Sequence, residues 1–180
     1  MKNIYIDCRI GMYPEDAVRV LATVDVQNDT VNISKLLAYR PPQDLFAGKT
    51  PQQIEKIKEV QKNSVVVVDN TAAFSNWDLN FIEQEHLDEA VRSYYLLNNN
   101  KSLVMDRSIA HLKLESVIEI RKMDLRGNVY ELNSSEINNS YMAILVVCWA
   151  AIKIRNTNSL TSEVSPDAED CDEFFTPFSV

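Results

Sequence analysis

A chain of 180 residues, 46% of them hydrophobic, fits one globular domain able to bury about 70% of the surface of its unfolded form. Its 3 Gly and 6 Pro exclude a low-complexity or loop-dominated protein. A net charge of −8 counts against a protein that grips nucleic acid unaided, since such surfaces are basic. Cys8, Cys148 and Cys171 form no C-x-x-C pair and are odd in number, which predicts a reduced, cytoplasmic protein.

The charge is unevenly spread. From Asn156 to Val180 there are six acids and no Lys or Arg, which leaves 18 basic and 20 acidic residues in the rest of the chain. Composition therefore predicts a nearly neutral α/β domain over residues 1–155 and a disordered acidic tail over 156–180. The first seven residues are too short and too charged for a signal peptide. The one long apolar run, Tyr141 to Ile152, falls short of the roughly 20 residues needed to cross a bilayer and reads as a core helix. A soluble protein with no membrane partner is expected.

In chain order, Ile4-Tyr5-Ile6-Asp7 is a short apolar strand closed by an acid. After a loop through Gly11 and Pro14, apolar residues alternate over Val18–Val26 and again over Val31–Tyr39, with Asn28-Asp29 between them. This period of two on both sides of a polar turn predicts a β-hairpin, and with residues 3–7 a three-stranded antiparallel start. Thr50-Pro51-Gln52-Gln53 predicts a helix start, with Thr50 as N-cap, Pro51 at the first helical position and Gln53 completing a capping box. That helix runs to about Gln61. Val65–Val68 is then a strand buried on both faces, closed by Asp69.

Ser75-Asn76-Trp77-Asp78 has the pattern of a second capping box, opening a helix to about Leu97. Leu103-Val104-Met105 is a short strand closed by Asp106. Residues 109–123 fit either a strand or a helix, and the charge spacing favours the helix. Val129–Leu132 reads as an edge strand, and Asn138-Asn139-Ser140 caps a last helix over Tyr141–Ile154. The predicted order is β-β-β-α-β-α-β-α: a single α/β domain whose mixed sheet joins an antiparallel three-stranded start to a parallel portion, with helices on both faces.

Strands that end on Asp7 and Asp69, within this order, resemble the RNase H-like superfamily, including junction resolvases and the nuclease domains of viral terminases. In those enzymes an acid lies on the first strand, another ends the fourth, and a third sits at the start of the last helix, together holding two divalent metals that activate water against a phosphodiester. The resemblance implies Asp7 and Asp69 as Mg²⁺ or Mn²⁺ ligands. Asn138-Asn139-Ser140 followed by an apolar run is similar to the terminase pattern, but asparagines stand where the acids belong. Glu136, or Glu55 or Glu59 on the first helix, is the alternative third acid, so Asp7, Asp69 and Glu136 form the candidate catalytic set.

Other motifs give less. Ala47-Gly48-Lys49-Thr50 lacks the upstream glycine and the feeding strand of a phosphate loop, and Thr50 reads as a helix cap. His86 and His111 are expected to face solvent. Cys148 is expected to pack as a core thiol. The tail puts Phe174, Phe175 and Phe178 into an acidic stretch that resembles the partner-binding tips of single-stranded-DNA-binding proteins, and Phe174-Phe175 resembles a sliding-clamp box. A partner-docking segment is one reading of it, and a segment folded back on its own domain is the other.

Two functions follow. One is a non-catalytic or catalytically degenerate RNase H-like protein that acts through a protein partner, of accessory, inhibitor, immunity or virion type. The other is a Mg²⁺- or Mn²⁺-dependent nuclease. The asparagines, the near-neutral body and the lack of a basic patch favour the first, with nucleic acid a partner that the charge does not favour.

Overall fold

Alternation in the first forty residues builds the centre of the molecule. In a computed structural model of the chain, which describes residues 3–11, 13–39, 47–61, 63–69, 76–124, 127–133 and 137–163, strands β1 (Asn3–Ile10), β2 (Val18–Asp25) and β3 (Thr30–Ala38) form an antiparallel meander. Ile4, Ile6, Cys8 and Ile10 on β1 and Val20, Ala22 and Val24 on β2 are buried. The residues between them point to the other face, as the two-residue period of a pleated strand requires. The predicted hairpin is present, and its turn is held by Asp25, which accepts from the Gln27 and Asn28 backbone N–H groups and from Asn28 Nδ2.

Helix α1 (Pro51–Gln61) starts where the capping box predicts. The Thr50 N–H donates to Gln53 Oε1 at 3.1 Å, and the Gln53 N–H donates to Thr50 Oγ1 at 3.3 Å. Strand β4 (Asn63–Asp69) lies beside β1, but antiparallel to it. A parallel portion at this point is therefore not formed. The reason is the path of the chain: β3 leaves the sheet at Ala38, which pairs with Val18, and Val18 pairs with Ile10, the partner of Asn63 where β4 enters. Both strand ends are at the same end of the sheet, so α1 turns the chain round there and does not cross back.

Strand β5 (Asn76–Asn80) pairs with β4 and forms one edge. The capping-box reading of Ser75–Asp78 is corrected here: Asn76–Asn80 is extended, and helix α2 (Glu83–Asn99) begins at Glu83. This helix is the crossover. Its 17 residues span about 25 Å and return the chain to the opposite end of the sheet, where β6 (Leu103–Met105) pairs parallel with β3. The main sheet has the order β5-β4-β1-β2-β3-β6. Residues 109–123 are not helical. They contain a short 3-10 turn at Leu114–Ser116 and strand β7 (Ile118–Asp124), which pairs with β8 (Gly127–Leu132) in a separate hairpin.

Helix α3 (Asn139–Glu163) runs eight residues past the expected boundary at 155. Every residue from Met142 to Ala151 is buried, and so is Ile154. A helix apolar all round needs neighbours on all sides. It packs against the inner face of β1, β2, β3 and β4 and against α2, so the layers run sheet, α3, α2, with the β7–β8 hairpin beside α2. Among the described residues no helix is long and apolar enough to cross a membrane.

Candidate functional site

Asp7 lies at the middle of the outer face of the sheet, away from α3. Its pleat neighbours on that face are Tyr5 and Arg9 on the same strand and, by register, Arg19, Leu21 and Thr23 on β2. Arg19 sits diagonally across from Asp7, a position within reach of a long side chain. It grips the carboxylate with two parallel hydrogen bonds, Nε to Oδ1 at 2.8 Å and Nη2 to Oδ2 at 2.8 Å. Arg9 Nη2 adds a third, to Oδ2, at 2.9 Å. The fork of a guanidinium matches a carboxylate in this geometry, and the guanidinium of Arg9 also lies 5.6 Å from the centre of the Tyr39 ring.

The Asp7 side chain is 14% exposed. Burial pushes its pKa upward, but the hydrogen bonds from Arg19 and Arg9 and the charges of both outweigh burial and hold it below the usual carboxylate range. Both oxygens are thus committed to cations, and a divalent metal would have to displace two arginines to reach them. The residues present do not fit a metal that uses Asp7 as a ligand.

Asp69 does not lie opposite Asp7 in the sheet. The strand register pairs Asp69 with Ile4 and Asp7 with Val66. The two positions are three residues apart along the strand pair, about 10 Å. Glu136, Phe174, Phe175 and Phe178 lie outside the described residues. Among the described residues, no group of three or more His, Cys, Asp or Glu could hold a metal ion.

The asparagines at the start of α3 carry structural tasks. Asn138 Oδ1 accepts from the backbone N–H groups of Ser140 and Tyr141 at 3.0 and 3.2 Å, which makes it the N-cap. Asn139 Nδ2 donates to the Asp16 carbonyl at 2.7 Å and ties the 13–17 loop to the helix. Since α3 packs on the inner face of β1, with Cys8 Sγ 3.9 Å from the Ala143 carbonyl, the start of this helix is separated by the sheet from the carboxylate of Asp7.

Sequence reasoning missed Arg19 and His86. His86 does not face solvent as expected: it is half-buried, with its ring 4.9 Å from that of Trp149 and 5.9 Å from that of Phe81, and its Nδ1 accepts the Ile82 N–H at 3.0 Å. His111 is exposed. Cys8 and Cys148 are fully buried core thiols. Burial raises the thiol pKa of both, that of Cys148 to about 12, so neither has the thiolate character of a nucleophile.

The clamp has a testable pH signature. The folded-state pKa of Asp7 is below its unfolded value, so the clamp stabilises fully above the unfolded value of about 3.9 and loses its contribution as the pH falls through the folded value. We expect Asp7→Asn to cost about 1–2 kcal/mol near neutrality, a figure discounted because both arginines are more than a third exposed. Thermal melts should show this gap narrowing below about pH 4. A gap that stays constant down to pH 2 would rule out the clamp.

No family model matches the chain, and neither a curated protein nor a solved structure matches it.

Proposed function

We propose that this is a non-catalytic protein that works by binding protein partners, of the accessory or inhibitor type. The observation that carries this reading is the clamp: the carboxylate best placed to be a first-strand metal ligand is taken by Arg9 and Arg19. The register, which pairs Asp69 with Ile4 and not with Asp7, and the capping role of Asn138 support it. A degenerate RNase H-like descent is part of the proposal. It draws support from the three-stranded meander with β4 beside β1, and the antiparallel sense of β4 is its main departure from the mixed sheet expected of the resemblance.

The test pairs calorimetry with cleavage. Mn²⁺ titrated into the full chain should give no binding heat, and supercoiled and branched DNA should remain intact with Mn²⁺ or Mg²⁺. A Mn²⁺ binding isotherm, or nicking of DNA, that disappears in Asp7→Asn would establish the nuclease reading in its place.

A further inference from the structure

We infer that the outer face of the main sheet is the docking site for the chain's own acidic, aromatic segment, residues 164–180. The inference rests on the partner-binding reading of that segment and supplies the surface that such a segment recognises.

The face is open and of mixed chemistry. Tyr5 is 42% exposed, Leu37 41% and Val104 46%, and by register these lie on β1, β3 and β6 on the side away from α3. Around them stand Arg9 and Arg19, both bonded to Asp7 in the middle of the face, and the exposed Lys35. Asp25, at the rim, is spent on its own turn. The Nε of Arg9 is buried and has no hydrogen-bond partner among the described residues. Among the described residues the face therefore offers guanidinium and ammonium groups beside exposed apolar side chains, an arrangement complementary to a peptide of acids and aromatics.

Residues 164–180 have that composition: five acids, three phenylalanines and no Lys or Arg. The opposite side of the molecule would repel them, because α2 presents the exposed acids Glu83, Glu85, Asp88 and Glu89. Reach is ample. Arg155 on α3 pairs with Asp29 in the β2–β3 turn at 3.0 Å, which brings the last part of α3 to the end of the sheet that carries Tyr5 and Val104. From Glu163 onward, 17 residues extend up to about 55 Å, whereas six strands span only about 24 Å from edge to edge. Docking within the chain would hold the segment and the face in one another's company, so that a partner for either competes with the intramolecular contact.

Cys171 makes the test direct, because Cys8 and Cys148 are fully buried and a thiol-reactive nitroxide is directed to residue 171. In the full-length, spin-labelled protein, amide NMR signals of Tyr5, Arg19, Lys35, Leu37 and Val104 should be broadened, while those of Glu85 and Leu96 on α2 keep their intensity. F174A/F175A/F178A should restore the sheet signals, and K35E or high salt should restore them in part, since exposed charges are screened. Unchanged sheet signals in the labelled wild type, or broadening centred on α2, would overturn the proposal. So would broadening that survives only between molecules, seen when labelled protein is mixed with an isotope-enriched, unlabelled copy. The metal titration reads none of these signals, so the two proposals fail separately.

Discussion

Trp149→Ala is expected to lower stability by about 3–5 kcal/mol, the range for removing a large buried aromatic. Trp149 is 2% exposed and joins α3 to α2 through several contacts at once. Its ring meets Phe81 edge-on at 5.3 Å and His86 at 4.9 Å. Its Nε1 donates to Glu89 Oε2 at 3.0 Å, and Lys153 reaches both Glu89 Oε1 at 3.1 Å and the ring face at 5.3 Å from its centre. Burial pushes the Glu89 carboxyl up, and the hydrogen bonds from Trp149 and Lys153 pull it below its ordinary value. Truncation removes the packing and one of these two donors together. Trp149→Phe keeps most of the volume and loses the donor, so it should cost about 1–2 kcal/mol. Denaturant titrations of the two variants separate the terms, and equal losses in both would refute the packing account.

Gly11→Val carries the second large effect. Gly11 follows the last residue of β1 with φ +100°, a region that residues with a Cβ rarely adopt. A Cβ there would stand 2.8 Å from the Cα of Ala17 and 3.1 Å from Nδ2 of Asn139. The Ala17 atom is backbone and cannot swing away, while the Asn139 amide is already committed to the Asp16 carbonyl. Strain at the dihedral contributes about 1–3 kcal/mol, and displacement of the 13–17 loop adds to it, for an expected loss of about 3 kcal/mol or more in thermal or chemical unfolding. Gly48→Ala is the control: φ there is +72°, but no atom lies within 4 Å of the added Cβ, so only the dihedral strain should register. If the two substitutions cost the same, close approach at Gly11 contributes nothing.

The parts of the fold that were legible in the sequence are those set by local chemistry. The Thr50–Gln53 box is a pattern of four residues whose two hydrogen bonds close within those four residues, and the β2–β3 hairpin is written in a period of two around one turn. What sequence reading missed depends on partners distant in the chain. Residues 75–78 carry a capping signature, yet Leu79 pairs with Val65 and Trp77 with Val67, and that pairing with β4 decides in favour of a strand over Asn76–Asn80. The alternation of Leu112, Leu114, Ile118 and Ile120 was the correct cue for 118–124, although charge spacing pointed to a helix.

The candidate site was legible only as a residue type. Asp7 stood out because it closes an apolar strand, and nothing within ten residues of it announces Arg19. The partnership exists because Arg9 faces Arg19 across β1 and β2, a fact of register. A cue was available once the hairpin was accepted: Asp7 and Arg9 share a face by the two-residue step, and the antiparallel continuation brings an outward β2 residue beside them. His86 was misjudged for the related reason that α2 begins at Glu83 and not near residue 76, which turns the first-turn histidine toward Trp149.

The wholly apolar helix α3 has a consequence for how the protein is made. It is the element on which β1, β2, β3 and β4 all rest, and it follows all of them in the chain. About 100 residues separate Ala38 from Asn139, which at roughly 5–20 residues per second leaves the nascent meander for some 5–20 s without the surface that covers its inner side. Ile4, Ile6, Val20 and Ile33 then have no permanent neighbours on the ribosome. Stable structure has to wait until Asn139–Glu163 has been made, and a chain released before residue 139 lacks the helix that covers its strands.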